Sequence, residues 1–316
     1  MSIRLSFLSY LFLNCLVGGL SCNAEPASLN SFAIEWKVTK NRVPPSVWIY
    51  KVVPVNFSPK TISNWMTLGS FTQADKKEIH KLASPETRDA LFFANADESR
   101  YLGIAPHLGW ITYHDQSAIA ETGKYPQGIP TEEEALNRAV KYLSLLGIDR
   151  RDLAVKNNGD LRIYREKGGR GWMDKAKNTN VYETITRGVD FIRRVDGIDF
   201  DGIGIRQGIC FTFGDYGKIT ELELNWKGME RLECHQTLTR EQMIDAIRKG
   251  RAKFTPAPGS PIEKLVVMDV VPFYRGGSDQ EDVKFIEPYA RITASVAYDT
   301  TNTVVNIETS ILGSKQ

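Results

Sequence analysis

The densest collection of chemistry-bearing residues in this chain runs from Val195 to Trp226, "VDGIDFDGIGIRQGICFTFGDYGKITELELNW". It offers paired aspartates, clustered glycines and a cysteine. A calcium loop with Asp199 and Asp201 as third and fifth ligands would begin at Gly197 and end at Gly208. Neither supplies the side-chain oxygen that the first position needs or the bidentate glutamate of the twelfth. Gly202, Gly204 and Gly208 lack the spacing of a dinucleotide loop and lead into a strand, not a helix. A hairpin explains the stretch better. With a type I turn at Gly214–Gly217 and Gly217 left-handed, Phe213 faces Lys218, Ile209 faces Leu222 and Ile205 faces Trp226. Ile203, Ile205, Ile209, Phe211 and Phe213 then share a dry face with Leu222, Leu224 and Trp226. Arg206, Cys210, Thr212, Glu221, Glu223 and Asn225 form the polar face. Arg206, Thr212, Glu221 and Glu223 are candidate partner-binding residues.

Other chemistry is sparse. Cys210 would oppose Glu221, so a disulfide to Cys234 requires a bent strand after Gly228. Two cysteines alone make no zinc site. None of His80, His107, His114 and His235 belongs to an H-E-x-x-H pair. His114 and Asp115 are adjacent at the end of a strand and so point to opposite faces, badly placed to share a proton. G-x-S-x-G, S-x-x-K and the phosphate-loop motif do not occur. We assign no catalytic, metal or cofactor residues and expect no enzyme. An envelope hydrolase using dispersed carboxylates or a histidine is the alternative. "REKGGRGWMDKAK", Arg165 to Lys177, reads as a mobile basic loop between strands, with Arg170 and Trp172 as further partner-binding candidates.

The dry face needs a roof, and two helices announce themselves alike. "TEEEALNRAVKYLSLLG" opens with Thr131 and Glu134 as a capping box, and the Glu132–Glu134 carboxylates complement the helix dipole. Ala135, Leu136, Ala139, Val140 and Leu143 form its apolar stripe, and Gly147 stops it. "TREQMIDAIRKG" repeats the device with Thr239, Gln242 and Gly250 around Met243, Ile244 and Ile247. Each cap follows a G-x-I-T segment, at Gly109 and Gly217, and each helix precedes a strand containing tyrosine and arginine, Tyr164-Arg165 and Tyr274-Arg275. "WIYK", with Tyr50-Lys51, offers a third occurrence. The order predicts an internal repeat. The expected fold is therefore α+β, repeated units of an amphipathic helix packed on one face of an antiparallel sheet, PepSY- or cystatin-like. Its expected segments are 1–24, 25–130, 131–238 and 239–316. Prolines mark "VPPSVWIYKVVPV" as an edge strand or linker and "FTPAPGSP" as a stiff connector.

Residues 1–24 read as a secretory signal peptide: Arg4 in a short positive start, an apolar run to Leu20, and Cys22-Asn23-Ala24 before the cut. Cys22 would serve a lipoprotein instead, but its leucine stands one position off the usual spacing. No later stretch is long and apolar enough to span a bilayer. A net charge of +2 with 42% hydrophobic residues describes a globular chain with no pull toward nucleic acid. Secretion or a periplasmic location follows, with an envelope protein or polymer as the expected partner.

From Thr131 to about residue 312 the chain resembles PepSY-type domains and the extracytoplasmic accessory regulators of Gram-positive cell-wall sensor kinases. The resemblance rests on "FGDYGKITELELNW" leading into the helix from Thr239, then "LVVMDVVPFYR" and "EPYARITASVAYDTTNTVVNIETS". It implies modules outside the cytoplasm that bind or regulate and do not catalyse. A cleavable signal departs from the membrane-tethered regulators, and no functional residue carries over.

Overall fold

The hairpin forms, with a register the alternation alone could not fix. In the computed structural model, which describes residues 32–77, 89–121, 123–156, 158–174, 176–201, 207–258, 261–275, 283–298 and 301–315, β11 (Gly208–Phe213) pairs antiparallel with β12 (Ile219–Asn225). Ile209 faces Leu224, not Leu222, and Cys210 faces Glu223, not Glu221. Tyr216 joins Gly217 in the left-handed region, so the turn holds one residue more than a type I turn with a single left-handed glycine. A bulge between Thr212 and Phe213 adds another at Thr220. Two single-residue slips cancel in parity, so the paired side chains of β11 and β12 keep their expected faces. Ile209, Phe211, Phe213, Leu222 and Leu224 are buried. Ile203, Ile205 and Arg206 lie outside the described residues, as do the signal peptide and Cys22.

The expected fold class is overturned. Nineteen strands against three α-helices among the described residues make a mainly β protein, with no repeated helix-on-sheet unit. The eight-stranded sheet runs β3 (Lys76–Lys77), β4 (Leu91–Ala94), β5 (Arg100–Ala105), β6 (Trp110–Asp115), β12, β11, β8 (Thr179–Ile192), β7 (Ile163–Asp174). A seven-stranded sheet runs β14 (Lys253–Thr255), β18 (Thr301–Ser310), β17 (Pro288–Tyr298), β15 (Lys264–Tyr274), β10 (Ile198–Phe200), β9 (Arg194–Val195), with β1 (Ala33–Trp36) also on β15. A four-stranded sheet runs β16 (Phe285–Ile286), β2 (Ser46–Val53), β13 (Gly228–Thr237), β19 (Leu312–Lys315). Pairings such as β6 with β12 and β2 with β13 cross residue 130, and β13 with β19 crosses residue 238.

The two G-x-I-T segments have a local explanation. Each starts from a left-handed glycine, Gly109 or Gly217, that closes a short 3-10 turn and aims the next strand. The strands they open, β6 and β12, are antiparallel neighbours in one sheet, with Trp110 opposite Asn225 and His114 opposite Glu221. The shared pattern is turn chemistry, not a shared module.

Both threonine caps form. Thr131 accepts from Glu134 N at 3.2 Å while Glu134 accepts from Thr131 N at 2.8 Å, starting α2 (Glu132–Leu146). Thr239 and Gln242 do the same for α3 (Arg240–Arg248). Ala135, Ala139, Leu143 and Leu146 of α2 pack on the dry face of the eight-stranded sheet, with Tyr142 stacked on Phe211 and Phe213; Val140 turns outward. Burying each such aromatic contributes about 2 kcal/mol. A third helix escapes the periodicity reading: α1 (Pro59–Leu68), capped by Ser58 with Pro59 at its first turn, adds Trp65 and Met66 to the same core. Met243 and Ile247 of α3 close a second core against Val267, Ile292 and Ile307 of the seven-stranded sheet and Tyr50 of the four-stranded one.

Two further expectations are corrected. Arg165–Asp174 is not a loop but most of β7, paired along its length with β8. Gly168 lies against the Thr186 side chain and Gly169 against the Tyr182 ring of the paired strand, so a Cβ at either would make that side chain shift. Phe254 and Thr255, read as connector, are strand residues of β14. β2, read as edge or linker, is an inner strand between β13 and the short β16.

Candidate functional site

Strand parity assembles one polar face from six strands of the eight-stranded sheet. Reading across the register, one row carries Tyr101, His114, Glu221, Thr212, Gly188 and Glu166. The next carries Gly103, Thr112, Glu223, Cys210, Asp190 and Tyr164, and a third Ala105, Trp110, Asn225, Gly208 and Ile192. In these three rows four positions are carboxylates, His114 is the one basic side chain, and no lysine or arginine occurs. Tyr101, Trp110 and Tyr164 stand around the acids, and Gly103, Gly188 and Gly208 leave the surface low between them.

The side chains are held from within the sheet. Trp110 Nε1 donates to Glu223 Oε1 at 3.0 Å. The His114 ring stacks on Tyr101 at 5.2 Å, and its Nε2 lies 3.2 Å from Gln116 Oε1. Asp115 turns to the opposite face, as alternation requires, and its Oδ1 accepts from Ser117 N and Oγ. Burial holds Glu221 above the ordinary carboxylate range; the facing His114 pulls it down and Glu166 pushes it up again. Burial also pushes the Cys210 thiol up, with Asp190 adding in the same direction, which disfavours the thiolate. A half-open notch of about 110 Å³ sits over Gly208, walled by Ile192, Asp190, Cys210, Glu223 and Asn225.

Of the residues singled out from sequence, Thr212, Glu221 and Glu223 come together here, and Cys210 lies among them. Arg206 is outside the described residues. Arg170 and Trp172 are elsewhere and are used internally. Arg170 donates to the carbonyls of Ala120 (2.7 Å), Glu121 (2.8 Å) and Lys124 (3.4 Å), and its guanidinium covers the Trp172 ring, which meets Tyr125 edge-on. The possible Cys210–Cys234 bridge is not formed: Cys234 faces Trp48 in the four-stranded sheet while Cys210 sits in the eight-stranded one. Sequence reasoning missed Glu166, Asp190, Tyr101 and Trp110. The alternation "VDFI" at Val189–Ile192 was the available signal for Asp190, once β8 is taken as a neighbour of β11.

The polar face of the seven-stranded sheet is built differently. Arg194, Asp199, Arg162, Asp201, Arg291, Glu308 and Arg275 form a continuous ladder of alternating charge, with successive contacts of 3.4, 3.1, 3.0, 3.1, 3.5 and 2.6 Å. Asp199 and Asp201, the pair that suggested calcium, are ligands of arginine. Among the described residues no group of three or more His, Cys, Asp or Glu is arranged to hold a metal ion. His235 Nε2 lies 3.2 Å from Glu233 Oε2, but Glu233 also takes Lys315 Nζ at 2.7 Å and His235 Nδ1 faces Gly313 O. Neither ring nitrogen is turned toward a nucleophile.

No family model and no curated protein matches the sequence. Among solved structures the chain is similar to an uncharacterized protein from Eubacterium rectale ATCC 33656, at 11% identity over 90% of this chain and 89% of that one, with a TM-score of 0.47. A likeness at that level carries no argument about function. No helix among the described residues is long and apolar enough to cross a membrane.

Proposed function

We propose that this is an exported, non-enzymatic binding protein that takes a lysine- or arginine-rich segment of an envelope partner on the acidic face of its eight-stranded sheet. The observation that carries the reading is the set of four carboxylates, Glu166, Asp190, Glu221 and Glu223, gathered in two neighbouring rows with no lysine or arginine among their positions in β5, β6, β12, β11, β8 and β7. An excess of carboxylates over bases on a shared face favours a cationic ligand. The Trp110 ring beside Glu223 suits the same ligand, because ring faces attract ammonium and guanidinium groups. Export is supported by the charged start, apolar run and small residues of positions 1–24.

Two experiments test the reading. An oligolysine peptide titrated at low salt binds the wild type, and Glu221→Gln with Glu223→Gln weakens it about two- to fivefold per charge removed. Binding that ignores both substitutions argues against this face, and binding of an anionic polymer instead argues against the ligand class. For export, N-terminal sequencing of protein recovered from the producing cell's envelope or medium is expected to begin just after Ala24. An intact Met1 there contradicts processing.

A further inference from the structure

The end of a β-sheet invites another strand, and short edge strands blunt that invitation. β1, β3, β9, β14, β16 and β19, each at the limit of a sheet, are two to four residues long. β7 is the exception. It ends the eight-stranded sheet with twelve residues, none of them buried and none a proline. Among the described residues no strand lies beyond it. Its sequence, IYREKGGRGWMD, carries charges of both signs, and these restrict which strand can pair with it.

We infer that the outer side of β7 pairs antiparallel with β7 of a second copy of this chain, about a two-fold axis through Gly168. Registers centred on Arg165, Glu166, Lys167 or Arg170 would set a charge opposite itself. The register centred on Gly168 sets Glu166 opposite Arg170 on each side of the axis, and Tyr164 opposite Trp172. Arg165 and Lys167 then meet Gly171 and Gly169, so no like charges are directly opposed. Arg170 brings an uncommitted charge to this pair. It stands opposite Glu183 of β8, but its guanidinium donates to the carbonyls of Ala120, Glu121 and Lys124. Directly opposed residues of an antiparallel pair point to the same side of a sheet, so the axis stands perpendicular to it and the acidic faces of both copies lie side by side. The pairing takes Glu166 as its own and leaves Asp190, Glu221 and Glu223 to a ligand.

Sedimentation of the wild-type protein is expected to give a dimer at about 100 μM, where an interface of micromolar affinity is filled. Deuterium exchange at that concentration is expected to be slower along residues 165–174 than in dilute protein. Glu166→Lys puts like charges at both Glu166–Arg170 positions and raises the dissociation constant of the dimer about tenfold. Lys167→Glu keeps a glycine opposite and changes it less than about twofold. A monomer at that concentration, slowed exchange confined to other strands, a dimer indifferent to Glu166→Lys, or one that Lys167→Glu weakens as much would each overturn the inference. If Glu166→Lys does not fold, the two wild-type measurements still decide.

Discussion

The two large sheets each carry a polar face, and they handle charge in opposite ways. On the seven-stranded sheet Asp199, Asp201 and Glu308 are each held between arginines, and four arginines answer three carboxylates. In the three rows that cross β5, β6, β12, β11, β8 and β7 of the eight-stranded sheet, four carboxylates share the surface with one histidine. Balanced charges that touch one another contribute to holding elements in place; here they join the start of β7, through Arg162, to β10, β17 and β18. Unbalanced charges cost stability and are explained by something that arrives from outside. Buried acids therefore do not mark a site by themselves. An excess of one sign across a whole face is the better pointer.

The comparison can be broken most sharply at Asp201. Replacing it by alanine leaves Arg162 and Arg291 without their shared carboxylate, and we expect a loss of about 3 kcal/mol in denaturant unfolding. Arg170→Ala removes three carbonyl contacts and frees the 120–124 segment, costing about 1–2 kcal/mol and opening that segment to protease. Thr131→Ala removes the cap of the helix that roofs the acidic sheet, costing about 1 kcal/mol. Glu221→Gln is the smallest effect and has the opposite sign: a gain below about 1 kcal/mol near neutral pH. The sign follows from its raised pKa. The folded state binds the Glu221 proton more tightly than the unfolded chain, so stability is present at low pH and lost as pH rises through the raised value. The amide removes that loss, so melts from pH 4 to 8 should show the variant's advantage growing with pH. An advantage that shrinks as pH rises would mean that Glu221 is compensated after all.

How far these faces were legible in the sequence depended on distance along the chain. The β11–β12 alternation and both threonine caps are local, and local chemistry wrote them plainly. Thr212, Glu221 and Glu223 could be put on one face for that reason. Glu166 and Asp190 could not, because their membership depends on β7 and β8 pairing beside β11. The glycines at 168, 169 and 171 argued for a loop, whereas they lie in a paired strand, where Gly168 and Gly169 sit close against Thr186 and Tyr182. The apparent repeat misled for a related reason. The same glycine turn and the same threonine cap recur wherever the same local problem arises, without any common module behind them.

The central claim is that the unbalanced face is the one that binds. Backbone amide shifts recorded while a lysine peptide is added would locate the contact directly. The account predicts changes clustered at Tyr101, Thr112, His114, Gly188, Cys210, Thr212, Glu221 and Glu223, fading as salt is raised. Changes centred instead on the arginine ladder around Arg162, Arg291 and Arg275, or spread evenly over the surface, would contradict it.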